Sequence, residues 1–163
     1  ILEGTQGTYL SLYHGVYPFV TSNDVFASAI CSDVGVGPTL VDDVIMVCKS
    51  YVTRVGEGPL EGEITFEEAK KRGWDEYGTV TGRQRRAAPF SYTLAKRAAI
   101  LNGATQIAIT KMDILYPYTE GMQDYDELRD EARSFVEEVE EKIGLPVTLI
   151  GTGPSVEEVI DRR

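Results

Sequence analysis

An α/β fold with a mostly parallel central sheet flanked by helices is what this 163-residue sequence predicts. Short apolar runs rich in β-branched residues alternate with segments of helical periodicity. Glycine-rich turns follow those runs, as at 56–58 and 151–153, which is where open α/β sheets hold ligands. No internal repeat, low-complexity tract or linker divides the chain, so residues 1–163 are expected to form a single α/β domain.

Each element has its own reason. Gly4, Gly7, Gly15 and Pro18 forbid a long helix over residues 4–22 and leave a compact loop rich in side-chain donors, among them Gln6, Thr21 and Ser22. Ser22 or Asn23 is placed to cap a helix over 24–32, with Val25, Ala29 and Ile30 inward, and the glycines at 35 and 37 end it. The run 44–48, continuing through 50–53, reads as one strand buried on both faces, emptying into the turn Arg54-Val55-Gly56-Glu57-Gly58-Pro59. Residues 65–73 carry the Thr65/Glu68 capping-box spacing and a terminal glycine. A helix is expected from Phe90 to Asn102, stopped by Gly103, and then a buried strand over 106–110 that delivers Lys111, Met112 and Asp113 at its end. Residues 116–124 read as loop. The clearest helix covers 126–143, with Leu128, Ala132, Phe135, Val136, Val139 and Ile143 on one stripe and a solvated charged face opposite. A strand over 147–150, a turn over 151–154 and a final helix capped by Ser155 complete the reading.

Composition excludes several classes. With 26 acidic against 16 basic residues and a net charge of −10, an extended nucleic-acid surface is not expected, because binding a phosphate backbone requires broad positive surface. No window approaches the ~20 apolar residues that span a bilayer, and no charged-then-apolar leader opens the chain, so a cytoplasmic protein with no membrane partner is expected. Cys31, Cys48 and the lone His14 have no metal-ligand spacing, so no metal site is expected. The apolar start Ile1-Leu2, running into Gly4 without an initiator methionine, reads as the end of a buried strand. The chain is therefore expected to be the C-terminal portion of a longer polypeptide.

The most informative stretch is Glu76-Tyr77-Gly78-Thr79-Val80-Thr81-Gly82-Arg83-Gln84-Arg85-Arg86. Guanidinium groups grip carboxylates and phosphates bidentately, while Gly78 and Gly82 let backbone N–H groups approach a ligand. A solvated basic turn is the bland alternative. Lys111 and Asp113 at a strand end add a second chemistry: a carboxylate there accepts hydrogen bonds from N1–H and the 2-amino group of guanine, which adenine does not offer, and a lysine stem packs along the base. If the strands preceding 54–58, 110–113 and 151–154 are parallel, all three loops lie along one edge. No Gly-x-x-x-x-Gly-Lys-[Ser/Thr] loop is present to cradle a triphosphate.

Taken in order, Glu3-Gly4-Thr5-Gln6-Gly7-Thr8, His14-Gly15-Val16-Tyr17-Pro18-Phe19-Val20-Thr21-Ser22, Thr53-Arg54-Val55-Gly56-Glu57-Gly58-Pro59, the stretch 76–86, Thr110-Lys111-Met112-Asp113 and Thr152-Gly153-Pro154 resemble adenylosuccinate synthetase along essentially the whole chain. The short connection from Asp113 to Asp126 resembles the compact, archaeal-type form. The resemblance implies a P-loop NTPase-like, G-protein-like architecture, here without its N-terminal part. It also implies a reaction: GTP and Mg²⁺ phosphorylate the 6-oxygen of IMP, and the amine of aspartate displaces that phosphate. By resemblance Gln6 lies by IMP O6 in a catalytic position, Thr21 meets the 5′-phosphate and Val55 the ribose. The loop Thr79, Val80, Thr81, Gly82, Arg83, Gln84 and Arg85 closes on aspartate; Arg85 also faces GTP, and Lys111, Met112, Asp113, Gly151, Thr152 and Gly153 surround the guanine. Gly151 stands where the family usually carries serine, and Gln84 where proline or arginine is common. The family's phosphate loop, catalytic base and acid, most Mg²⁺ ligands and the arginine donated across its homodimer all lie outside this sequence. His14 belongs to a different motif.

Two other classes compete with a synthetase portion. One is a non-catalytic nucleotide- or dicarboxylate-binding module lacking the phosphate loop; the other is an unrelated α/β domain whose arginines bind surface anions.

Overall fold

The structure, a computed structural model, describes residues 1–79 and 82–163. Two sheets organise it. The strands β1 (Ile45–Lys49), β4 (Gln106–Thr110), β5 (Val147–Gly151) and β6 (Val159–Asp161) form a four-stranded sheet in the order β1-β4-β5-β6, parallel except for the last. The strands β2 (Tyr51–Val55) and β3 (Arg85–Pro89) form a separate antiparallel ribbon. The helices are α1 (Ala27–Val34), α2 (Phe66–Lys71), α3 (Tyr92–Asn102), α4 (Met112–Leu115) and α5 (Asp130–Ile143).

The main core forms where alternation along parallel strands puts Met46, Ile107, Ile109 and Ile150 on one face. Onto that face pack Ala95, Ala98 and Ala99 of α3 and Ala132, Val136, Val139 and Ile143 of α5. The alanine triplet of α3 lets the helix lie close. A second, smaller core sits under the ribbon, where Tyr51 stacks on Trp74 at 4.8 Å beside Ala69 and Ala87.

Several sequence expectations hold. Thr65 caps α2 by accepting from the Glu68 amide at 3.2 Å, Gly103 ends α3 in the left-handed region, and β4 is buried through Ile107, Ala108 and Ile109. Others are corrected. The strand expected to run unbroken from 44 to 53 divides at Ser50 into β1 and β2, which enter different sheets. The Ser50 N–H bonds to the Thr110 carbonyl (2.9 Å) and its hydroxyl to the Lys111 carbonyl (2.7 Å), so β1 stays with β4 while the chain turns away. Nor is β1 buried on both faces: Ile45 and Val47 are exposed.

The helix expected over 24–32 begins only at Ala27, because the Asp24 carboxylate takes the Ser11 hydroxyl and the Val25 N–H, and Asn102 Oδ1 accepts the Ala27 N–H at 3.0 Å. The long helix starts at Asp130, since Asp124 caps a short 3₁₀ turn over Tyr125–Glu127 instead. The final helix expected after Ser155 is the strand β6: the Thr152 N–H bonds to the Glu158 carbonyl (2.8 Å) and turns Val159-Ile160 back onto β5. Gly151 accordingly belongs to β5 and not to the turn. Finally, the three marked loops do not share one edge. Lys111–Asp113 and Thr152–Gly153 follow neighbouring parallel strands, while the 54–58 turn belongs to the ribbon.

Candidate functional site

The arginine stretch is the tip of a hairpin, as its glycines imply. Its neck is closed by the Arg85 N–H on the Glu76 carbonyl (2.8 Å), a bridge between Tyr77 and Gln84, and the Gly78 N–H on the Arg83 carbonyl (2.8 Å). Gly82 has φ 62°, which a β-branched residue would not tolerate. Thr79, Gly82, Arg83 and Gln84 are exposed at the tip, and the expected contacts of Val80 and Thr81 lie outside the described residues.

The three arginines of this stretch have different surroundings. Arg86 ion-pairs with the Glu63 carboxylate, and its Nη1 donates to the carbonyls of Gly56 (3.0 Å) and Gly58 (2.8 Å). The Glu63 hydrogen bond and charge raise its already high pKa. Arg86 therefore locks the 54–58 turn against the hairpin. Arg54 extends the lock, donating to the carbonyls of Glu57 (2.8 Å) and Phe19 (3.0 Å). The glycines at 56 and 58 together with Glu57, Arg83, Gln84 and Arg86 line an open cleft of about 470 Å³. Thus the N-terminal loop, the turn carrying Val55 and the arginine hairpin, singled out separately by sequence, come together. Val55 pairs directly with Arg85 in the ribbon. Thr21 is half-buried, its N–H on the Leu10 carbonyl at 2.7 Å.

At the ends of β4 and β5 the geometry is of another kind. Lys111 has φ 66° and opens α4, and Asp113 lies in that first turn, partly exposed. The side chains of Met112 and Thr152 are fully buried, and Thr152 Oγ1 donates to the Met122 carbonyl at 2.8 Å. These two buried side chains build the platform beneath the turns. At Gly153 an added Cβ would collide with the Glu158 side chain, whereas at Gly151 it would lie 3.4 Å from Thr110 Cα, at van der Waals distance. A Cβ thus has room at 151. Among the described residues, the only non-glycine residues with positive φ are Gln6 and Lys111. Both are candidate site residues, and such local strain concentrates at ligand sites. Gln6 itself is exposed.

Between the two regions sits a cluster that sequence reasoning missed. The Glu76 carboxylate accepts Lys49 Nζ at 2.9 and 3.1 Å, the Tyr51 hydroxyl at 2.7 Å and the Thr53 hydroxyl at 3.4 Å, and it ion-pairs with Arg85 Nη1 at 3.4 Å. Burial pushes Glu76 up, but the hydrogen bonds from Lys49 and Tyr51 and the charges of Lys49 and Arg85 together hold its carboxyl below the ordinary range. Lys49 is lowered, because burial outweighs the pull of Glu76. Tyr51 is raised by burial and by the Glu76 carboxylate. Ser50, between Lys49 and Tyr51, holds the Lys111 carbonyl. A charged residue closing an apolar strand, at Lys49, was the available signal.

Other groups have quieter surroundings. The exposed His14 has its ring 4.9 Å from that of Phe26. Burial raises the Cys48 thiol to about 11, which makes it a poor nucleophile. Among the described residues no group of three or more His, Cys, Asp or Glu side chains is arranged to hold a metal ion, and no helix is long and apolar enough to cross a membrane.

A family model described as adenylosuccinate synthetase matches residues 1–120. The chain belongs to the adenylosuccinate synthetase family. Its relatives include adenylosuccinate synthetases of Methanococcus aeolicus, 56% identical over 163 residues, and of Thermococcus onnurineus, 57% identical. In both cases the alignment covers all of this chain and 48% of the relative, so the chain spans about half the length of the curated relatives it matches. The fold is likewise that of a fully ligated adenylosuccinate synthetase from Plasmodium falciparum, with a TM-score of 0.88 at 22% identity, over 99% of this chain and 49% of that one. A cyanophage S-2L succinoaminodeoxyadenylate synthetase, solved with dGMP and with dATP as energy donor, aligns over 98% of this chain and 45% of its own, with a TM-score of 0.73 at 26% identity.

Proposed function

We propose that this chain is the C-terminal portion of an adenylosuccinate synthetase, folded as one α/β domain, and that it carries the aspartate loop, the guanine pocket and part of the IMP site. The observation that carries the reading is the juxtaposition of two recognition elements of different chemistry, the arginine hairpin and the Lys111–Asp113 turn, joined through Lys49-Ser50-Tyr51 and Glu76. Asp113 accepts from N1–H and the 2-amino group of guanine, and the Lys111 stem lies along the base. Arg83 and Arg85 meet the two carboxylates of aspartate, Gln6 stands near O6 of IMP, Thr21 takes its 5′-phosphate and Val55 lies by its ribose.

In the reaction so assigned, O6 of IMP attacks the γ-phosphorus of GTP and GDP leaves. The amine of aspartate then displaces the 6-phosphate, giving adenylosuccinate and inorganic phosphate. Converting a poor leaving group to a phosphate ester is what makes the substitution feasible. The described residues contain no acidic cluster that fits Mg²⁺, and the sequence contains no triphosphate-cradling loop, so no phosphoryl-transfer step is assigned to residues of this chain. Those groups are assigned to the remaining half of the polypeptide. A cytoplasmic homodimer is the expected setting.

The test is phosphate release dependent on GTP, IMP and aspartate, measured with this chain alone and with the remaining half supplied. Activity only in the mixture supports the division of labour. Activity in neither mixture overturns it and favours a non-catalytic binding module. Support by ATP equal to that by GTP, in keeping with the dATP of the cyanophage relative, would overturn the guanine assignment while leaving the ligase.

A further inference from the structure

Arg85 and Arg86 are neighbours with nearly equal side-chain exposure, 33% and 31%, yet their hydrogen bonding differs sharply. Arg86 is held by a carboxylate and two carbonyls. Arg85 has the 3.4 Å ion pair to Glu76, and its Nε is buried with no hydrogen-bond partner among the described residues. A guanidinium offers five donors, and a buried charged donor without a partner is costly, so Arg85 is fixed in place but under-satisfied. Its backbone is pinned independently, by the Arg85 N–H on the Glu76 carbonyl at 2.8 Å.

The reason lies in Glu76. Its carboxylate is already occupied by Lys49 and Tyr51 at 2.7 to 3.1 Å, with Thr53 farther off. It can restrain Arg85 but cannot satisfy it. Among the described residues, Lys49 feels the charges of Glu76, Arg85 and Lys111, and Tyr51 those of Glu76, Asp113 and Arg85.

We propose that Glu76 is the positioning residue for Arg85: it restrains the guanidinium through Nη1, with Nε buried, and so leaves the other Nη donors available to a carboxylate of the amino-acid substrate. Glu76 touches no substrate and acts only through Arg85. The inference rests on the arginine-hairpin reading above, and its test separates the two.

The kinetic arm uses the complete polypeptide, this chain with its remaining half, as native protein and as Glu76→Gln, Glu76→Asp and Arg85→Ala. Glu76→Gln preserves shape and an acceptor for Tyr51 but removes the charge. The expected result is a KM for aspartate raised about tenfold, the scale of one charge-assisted hydrogen bond, with kcat and the KM values for GTP and IMP little changed. Glu76→Asp should recover part of the loss. The second arm reads the Arg85 Nε–H resonance in this chain by ¹H–¹⁵N NMR: restricted and slowly exchanging in the native protein, averaged in Glu76→Gln.

A rise in aspartate KM for Arg85→Ala but not for Glu76→Gln overturns the inference and leaves the hairpin reading standing. No rise in either variant overturns both. A uniform fall in all constants together with a lowered Tm in Glu76→Gln, without recovery in Glu76→Asp, marks a merely structural carboxylate and also overturns the inference.

Discussion

At the ends of β4 and β5, Lys111 and Asp113 stand on fully buried residues: Ile109, Met112, Ile150 and Thr152 are each 0% exposed. Around the arginine hairpin the supporting groups are charged and partly wet, Glu63 and Glu76 with Lys49 and Arg86. The first region is positioned by core packing and backbone hydrogen bonds, which are strong, insensitive to salt and tolerant of little change. The second is positioned by ion pairs, which are weaker and respond to pH and salt. On the proposed reading, the rigid region recognises a flat base and the charged region closes on a small dicarboxylate.

The comparison can be broken first in the core. Ile150→Ala should cost about 3 kcal/mol, read from urea denaturation, and should speed amide exchange at Thr152 along with it. Arg86→Ala, at the other extreme of support, should cost only about 1 kcal/mol. Its effect should instead fall on the 54–58 turn, seen as loosening of the Gly56 and Gly58 amides by NMR.

Acid provides a finer probe. The folded Glu76 carboxyl lies below its ordinary value, so the stability it contributes is complete above the unfolded value of about 4.3 and is lost as pH falls through the lower folded value. The Tm difference between native protein and Glu76→Gln should therefore be largest near neutrality and shrink as pH falls below about 5. A difference that stays constant over that range contradicts the assignment. Smallest of all is Gly151→Ser, whose added Cβ has room in the structure. The added hydroxyl should tighten guanine nucleotide binding by a few-fold, on the scale of one neutral hydrogen bond, with Tm unchanged.

The same contrast explains what sequence could and could not reveal. The α3 and β4 segments were legible because periodicity and caps act locally: Ala95, Ala98 and Ala99 repeat at helical spacing, and Gly103 stops the helix. The division of the 44–53 run was not legible, because it is imposed by Ser50 bonding to Thr110 and Lys111, some sixty residues away. Val159-Ile160 suited a helix as readily as a strand until β5 supplied a partner. Within the site, Arg83, Arg85, Lys111 and Asp113 stood out by residue type and neighbours. Glu76 did not, although it opens the same stretch, because its role depends on Lys49 and Tyr51, which lie 27 and 25 residues earlier in the chain.

The most direct test of two separate recognition elements is a crossed titration of the complete polypeptide by calorimetry, with GTP, ATP and aspartate against native protein, Asp113→Asn and Arg83→Ala. Asp113→Asn should reduce the preference for GTP over ATP about tenfold to a hundredfold and leave aspartate affinity unchanged. Arg83→Ala should weaken aspartate by a similar factor and leave the nucleotide preference intact. Either variant changing both affinities equally, or neither changing anything, would contradict the account.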